Sequence, residues 1–351
     1  MKIAFIIPTL GGGGAERAVA RIASGLSDKY RYDTYILVYK RVENEYLISN
    51  NVKLIDCNCT HKNKIIRVKI LRDLVKKYRF DVVIPFSPTQ AEDSFLATRF
   101  SNSKFLNTVR NNPWRYPAKK KNRILRDWLV DHADGCIFQT EEQKLYFNSS
   151  RVLNKIIYNP IESEYLLTEC SYKKAEHFMT AGRLSEQKNQ KMLVNVWEKL
   201  ENQNVYLEIY GEGPLDEDLK NLIIEKGLEN RIKLMGRSNN MKEVLMKADA
   251  FILSSDYEGM PNALIEAMAC GLPCISTDCK TGPKELIRSY ENGLLVPTGD
   301  VEKMKEAIEY FIENPKETEK FGLNARKSIT MKCSIDYILK QWNEMLCSLT
   351  E

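Results

Sequence analysis

Two doubly wound α/β domains in tandem are the fold class this sequence predicts, and three observations predict it. Short apolar, β-branched runs alternate with helix-period segments along the whole chain, the pattern of parallel strands joined by crossover helices and covered on both faces. The 351 residues exceed what one hydrophobic core usually serves, at roughly 100–200 residues per domain. The alternation also runs twice, and between the two series lies a polar, charged stretch without clear period, 162–174, just after Asn159-Pro160. The expected domains are therefore 1–165 and 166–330.

Taken in order, the runs predicted as strands in the first half are 3–7, 34–39, 52–55, 82–86, 105–109, 136–138 and 155–158. Helical stripes lie between them, as where Ala15, Ala18, Val19, Ile22 and Leu26 share one face with Arg17, Arg21 and Ser24 opposite. The second half repeats the scheme with 177–180, 205–210, 232–235, 250–253, 273–277 and 293–296. Open parallel sheets bind ligands outside the carboxyl ends of their strands, so functional residues are expected in the loops after strands, in a cleft where two such edges face each other.

Composition removes several function classes. No stretch approaches the ~18–20 apolar residues of a membrane span. Met1 and Lys2 run straight into a short apolar segment that ends at Pro8 and a glycine run, which reads as a buried strand rather than a signal peptide and predicts a cytoplasmic protein. The nine cysteines are odd in number and scattered, so reduced, mostly buried thiols are expected, and Cys270, Cys274 and Cys279 lack metal-ligand spacing. His61, His132 and His177 are the only histidines and are read as surface or hydrogen-bonded residues, which disfavours a zinc hydrolase. Net charge is +5 overall, yet residues 1–170 carry 28 basic and 18 acidic side chains and the remainder carries 24 and 29. The two halves are built for different partners.

Three post-strand loops carry the chemistry. Gly11-Gly12-Gly13-Gly14 stands between the first strand and a helix, where amides favour an anion, but Glu16 and Arg17 occupy the places of the last glycine in a dinucleotide fingerprint. An NAD oxidoreductase is excluded on that ground, and a simple turn remains the alternative. Gly182-Arg183-Leu184-Ser185-Glu186-Gln187-Lys188 puts two cations beside a helix start, a phosphate clamp or a solvated basic turn. Most specific is Glu258-Gly259-Met260-Pro261-Asn262, opening a helix that carries Leu264 and Glu266. Asn262 is a candidate cap, Glu258 reaches a ligand from the loop, and Glu266 leaves an apolar helix face where only a hydrogen-bonding partner such as a polyol would satisfy it.

The order Gly-Gly-Ala-Glu (13–16), Gly-Arg…Gln-Lys (182–188), Tyr-Gly-x-Gly-Pro (210–214) and Ser-Ser-x-x-Glu-Gly-x-Pro-Asn…Glu-Ala-x-Ala-x-Gly-x-Pro resembles the retaining GT-B glycosyltransferases of family GT4. Gly282-Pro283-Lys284-Glu285 and Asn292-Gly293-Leu294-Leu295-Val296-Pro297 continue the resemblance, which covers nearly the whole chain. It implies two Rossmann-like domains across a cleft, the first receiving the acceptor and the second the nucleotide-sugar donor, with residues 331–351 as a terminal helix returning to the first domain. It also implies roles: Arg183 and Lys188 at the donor diphosphate, Glu258 at the donor sugar and phosphate, Glu266 at the ribose. Gly259, Met260, Pro261 and Asn262 would cradle the distal phosphate and sugar. Gly13, Gly14, Glu16, Gly211, Gly236, Arg237, Leu264 and Gly282 would complete the donor site. Where many relatives have a histidine at the donor sugar, this chain has Arg110, which takes that place among the catalytic candidates.

The nearest group is that of bacterial capsule, O-antigen and glycan-assembly transferases, which implies a UDP-linked galactose, N-acetylgalactosamine or N-acetylglucosamine donor. Such transfer asks only that departing phosphate charge be stabilised and an acceptor oriented, and no metal is expected. Asp216-Glu217-Asp218 falls in a helical pattern and is read as surface rather than a metal site. A non-transferring UDP-sugar epimerase or hydrolase, or a catalytically silent sugar-nucleotide binding partner, are the alternatives.

The acceptor is read from charge. Residues 104–126 hold eight cations and no acid, with Trp114 and Tyr116 among them and Trp128 beyond; 62–79 holds eight cations against Asp73 alone, with Ile65, Ile66 and Ile70 interleaved. Solvated helix faces are the alternative. Both segments fall in the acceptor half, which predicts peripheral binding to an anionic membrane on its cytoplasmic side, a polyprenyl-diphosphate-linked saccharide acceptor, and no nucleic acid.

Overall fold

The computed structural model describes residues 1–59, 62–148, 151–166 and 174–351; His61 and Cys170 lie outside them. The chain forms two compact units, Met1–Pro160 with Ile335–Glu351, and Ile161–Ser334. These limits differ by four or five residues from the expected ones. The Ile161 N–H donates to Cys333 O at 2.8 Å and Ile161 pairs with Ser334 in an isolated bridge, which ties both ends of the second unit together.

Unit 1 contains β1 (Lys2–Ile7), α1 (Gly14–Tyr30), β2 (Asp33–Val38), β3 (Lys53–Asp56), α2 (Lys64–Tyr78), β4 (Val82–Pro85), α3 (Pro88–Thr98), β5 (Lys104–Thr108), α4 (Lys120–Asp131), β6 (Gly135–Phe138), α5 (Glu141–Phe147) and β7 (Leu153–Ile156). The seven strands are parallel in the order β3-β2-β1-β4-β5-β6-β7. The order reverses between β1 and β4, and the loops after β1, β4 and β5 open at that switch point. Period-2 alternation divides the first strand between two cores. Ile3, Phe5 and Ile7 join a cluster with Val19, Ile22 and Leu26 of α1, whereas Ala4 and Ile6 face Leu71 and Val75 of α2.

Unit 2 follows as α6 (Ser163–Leu166), β8 (His177–Ala181), α7 (Gln190–Lys199), β9 (Tyr206–Tyr210), α8 (Asp216–Glu225), β10 (Ile232–Gly236), α9 (Met241–Lys247), β11 (Ala250–Leu253), α10 (Asn262–Ala269), β12 (Cys274–Thr277), α11 (Pro283–Leu286), β13 (Leu294–Val296), α12 (Val301–Glu313) and α13 (Pro315–Cys333). Its six parallel strands run β10-β9-β8-β11-β12-β13, with the switch between β8 and β11. All the expected strands are present, with ends within two residues of the expected ones.

The last helix, α14 (Ile335–Thr350), belongs to unit 1. Its apolar stripe, Ile338, Leu339, Trp342, Met345 and Leu346, is buried in the same cluster as Phe5, Ile84 and Phe86. Gly25 makes the approach to α1 possible, because a Cβ there would stand 2.4 Å from Leu339 Cδ1. Among the described residues, no helix is long and apolar enough to cross a membrane.

Candidate active site

In unit 2 the loops after β8 and β11 are laced together. Gln187 Nε2 donates to Tyr257 O, the Asp256 N–H to Gln187 O, and Asn189 Nδ2 to Asp256 Oδ1, each at 2.9 Å, while Ser254 Oγ donates to Lys188 O at 2.8 Å. This lacing brings two sequence-predicted residues into contact. Lys188 Nζ lies 2.6 Å from Glu258 Oε1. Ser255 Oγ donates to the same oxygen at 2.6 Å, so Oε1 is held twice and Oε2 stays unengaged among the described residues. The Glu258 side chain is 7% exposed and that of Lys188 19%, a pair dry enough that each charge depends on the other. Below it, Thr277 Oγ1 and Cys279 Sγ both donate to Ser255 O, at 2.6 and 3.0 Å, and Thr281 Oγ1 donates to Glu258 O. Burial pushes the Cys279 thiol up to about 12, so it acts as a neutral donor.

Around this pair the remaining candidates divide. Arg183 and Arg237 are exposed and make no ion pair among the described residues. Gly211 (φ +137°) lets its loop meet the Arg183 loop, since a Cβ would stand 1.9 Å from Gly182 O; its N–H donates to Gly236 O at 2.8 Å. Gly282, Gly259, Met260 and Pro261 are buried beside Glu258. Asn262 is not the cap expected of it: Pro261 holds that position and Asn262 is the first helical residue, because the extended Pro261 backbone already turns the chain into α10. Glu266 is 2% exposed among Leu264, Ile265, Ala267 and Met268, all buried, and is engaged within the protein instead of leaving an open apolar face. Asp216, Glu217 and Asp218 form the exposed first turn of α8.

Unit 1 holds a cavity of about 570 Å³ at its own switch point, lined by Thr9, Glu16, Lys40, Ser87, Asn107 and Arg110 among others. Gly13 is the N-cap of α1 and Gly14 its first residue; the Glu16 carboxyl group folds back over Gly13, so the helix terminus is covered by the chain's own side chain. Burial holds Glu16 above the usual carboxylate range, against a hydrogen bond from its own backbone. Arg110 stacks with its Cζ 4.0 Å from the Phe86 ring centroid.

The basic face is smaller than the segments 62–79 and 104–126 suggest. Arg67 forks onto Asp93, 2.6 and 3.2 Å away, with Tyr39 Oη donating to the same carboxylate at 2.7 Å. Arg126 is buried against Pro113 O and Asp127. Buried carboxylates and carbonyls claim both, and with Arg110 they leave the surface. Lys119, Lys120 and Lys121 stay exposed beside Ile124 and Trp128 of α4, as do Lys62, Lys64 and Lys69 around Ile65.

Residues 169–328 match the family model described as glycosyl transferases group 1. That match covers less than half of the chain and makes its second unit similar to the group 1 glycosyl transferases. The chain is 35% identical over 53% of its length, and 51% of the relative's, to an uncharacterized glycosyltransferase of Methanocaldococcus jannaschii. Over 90% of this chain and 91% of the relative it is 28% identical to the N-acetylgalactosamine-N,N'-diacetylbacillosaminyl-diphospho-undecaprenol 4-alpha-N-acetylgalactosaminyltransferase of Campylobacter jejuni. The fold matches that of Anabaena HepE in complex with UDP and glucose, with a TM-score of 0.85 over 99% of this chain and all of that one at 19% identity. The sequence motifs located Lys188 and Glu258 but not the work of Ser255, Thr281 or Cys279. Ser255 stands in a quoted motif, three residues before Glu258, and that spacing was the available signal.

Proposed function

We propose that this glycosyltransferase moves a hexose or N-acetylhexosamine from a UDP-sugar to a polyprenyl-diphosphate-linked saccharide, with retention at the anomeric carbon and without a metal. The observation that carries the reading is the Glu258 carboxylate pinned through Oε1 by Lys188 and Ser255 beside the start of α10. Arg183 and Lys188 take the charge of the departing diphosphate, and the amides of residues 259–262 cradle the distal phosphate and sugar. Glu266 reads the ribose, and Glu258 Oε2 faces the donor sugar. The bond from the anomeric carbon to the diphosphate oxygen breaks while the acceptor oxygen bonds to that carbon on the same face. The acceptor proton passes to the leaving phosphate, so no histidine is required. The names of the relatives with undecaprenol-linked acceptors support the acceptor class.

Thermal shift with UDP- and GDP-sugars tests the donor: at ~100 times its dissociation constant the right one adds about 2.7 kcal/mol. No stabilisation by any of them, or no transfer to a prenyl-diphosphate saccharide, sinks the reading. Peripheral docking on an anionic cytoplasmic membrane follows from the exposed lysines and Trp128, each cation contributing up to ~1 kcal/mol. Vesicle sedimentation checks it: binding is expected to favour anionic over neutral vesicles and to fall when Lys119, Lys120 and Lys121 are changed to Glu, and equal binding to both or no loss in the variant sinks the idea.

A further inference from the structure

Arg110 follows β5 and lines the cavity of unit 1. Only its Nη1 finds an acceptor, Asn159 Oδ1 at 3.2 Å; Nε and Nη2 are buried with none among the described residues. Its Cζ lies over Phe86 and 5.8 Å from the Trp342 ring centroid, and aromatic faces offset only part of the cost of a desolvated cation. Glu16, the acidic side chain lining the same cavity, forms no ion pair with it. Without a counter-charge, burial pulls the Arg110 guanidinium down to about 9. Buried donors in native proteins are nearly always satisfied, and for a guanidinium at the wall of a cavity an anionic acceptor gives the strongest bonds. Lys40 lines the same space, as do Ser87 and Thr89 at the start of α3. Ser87 is the N-cap of α3 yet turns its hydroxyl to Gln90 and makes no side-chain cap.

We propose that this cavity binds the acid group of the saccharide acceptor, a phosphate or a carboxylate, with Arg110 as its counter-charge. The inference rests on the glycosyl-transfer reading only in naming the ligand an acceptor. It separates acid recognition from the exposed lysines, which meet a surface, and assigns it to a buried fork that discriminates between charged and neutral saccharides. Sugar hydroxyls can accept from a guanidinium but bring no counter-charge.

The test is calorimetric binding to the full chain, without donor, of three probes: a short-chain prenyl-diphosphate-linked N-acetylhexosamine, the same sugar on a neutral octyl aglycone, and octyl glucuronide. Salt of about 0.5 M screens the exposed lysines but not a buried site. Wild type is expected to bind one acidic probe at least tenfold more tightly than the neutral one, and the favoured probe says whether phosphate or carboxylate is read. Arg110→Gln is expected to abolish the preference and Arg110→Lys to keep part of it, with an unchanged far-ultraviolet circular dichroism spectrum as the control for folding. Equal binding of all three probes by wild type overturns the proposal even if the variants do not fold. A preference that survives in Arg110→Gln overturns it as well. A preference that Arg110→Gln abolishes, found with no transfer to any acceptor, upholds this site and removes the transfer reading instead.

Discussion

The two units answer the cost of buried charge in opposite ways. At the switch point of unit 2, Glu258 and Lys188 neutralise each other and Ser255 fixes the carboxylate. At the switch point of unit 1, Glu16 and Arg110 each lie buried in part beside a shared cavity with no ion pair among the described residues. One site is paired within the protein, and the other is not. Under the proposed transfer, preorganisation suits the half assigned to charge stabilisation and open valences suit the half assigned to the acceptor.

The largest expected effect concerns how each unit is built. Unit 1 takes its last helix from the far end of the chain. Removing 335–351 strips Leu339, Trp342, Met345 and Leu346 from the core, at ~2–5 kcal/mol for each large side chain lost, against a total domain stability of about 5–15. The truncated chain should lose the melting transition of unit 1 and all transfer while unit 2 still binds UDP. A truncation that retains full activity would refute this assignment.

Glu258→Ala comes next. It should fold, with stability lowered at pH 7 by the loss of the counter-charge of Lys188, and its turnover should fall by about 10²-fold, the scale of one preorganised electrostatic contact. Near-normal transfer by the variant would remove Glu258 from the reaction. Ser255→Ala tests whether pinning matters or only presence. A lost hydrogen bond to a charged group is worth ~1.5–3 kcal/mol, so a drop of roughly tenfold or more is expected in kcat with the UDP-sugar KM little changed. Ser255→Thr, which keeps the hydroxyl, should restore most of it. Loss of KM and kcat together, without rescue, would make Ser255 a packing residue.

The same contrast explains what could be read in advance. The sheets were legible because runs such as Ile3–Ile7 and Ala250–Leu253 are short, apolar and bounded by turns, and period-2 burial leaves them no other use. In unit 2 the chemistry was legible because one loop motif carries Glu258 and another Lys188, and lacing between loops made neighbours of residues 70 positions apart. In unit 1 the same method counted cations and overcounted the surface. Linear charge does not reveal that Arg67 is claimed by Asp93 or that Arg126 is claimed by Pro113 O, because those acceptors lie on other elements. Asn262 misled for a local reason: proline in an extended conformation can begin a helix without a side-chain cap.

The smallest effect isolates the contrast in a single carboxylate. Glu16 is held above the usual range by burial, with only its own backbone as compensation, so the folded state favours the protonated acid. For an acid whose pKa rises on folding, the native state holds the proton at pH values where the unfolded chain has lost it. Stability therefore falls as pH climbs through the window that starts at the ordinary carboxylate value and ends at the raised one, and the deficit persists at neutral pH. Glu16→Gln keeps a hydrogen-bond acceptor for the α1 terminus and removes the charge. Its melting temperature should exceed that of wild type at pH 7, and the gap should close as pH falls toward 4. Glu258→Gln should behave in the opposite way, losing stability at pH 7 because Lys188 then stays buried in part without its counter-charge. If both substitutions shift stability in the same direction at pH 7, the two sites do not differ in how they hold charge, and the contrast between preorganised and open halves falls with that result.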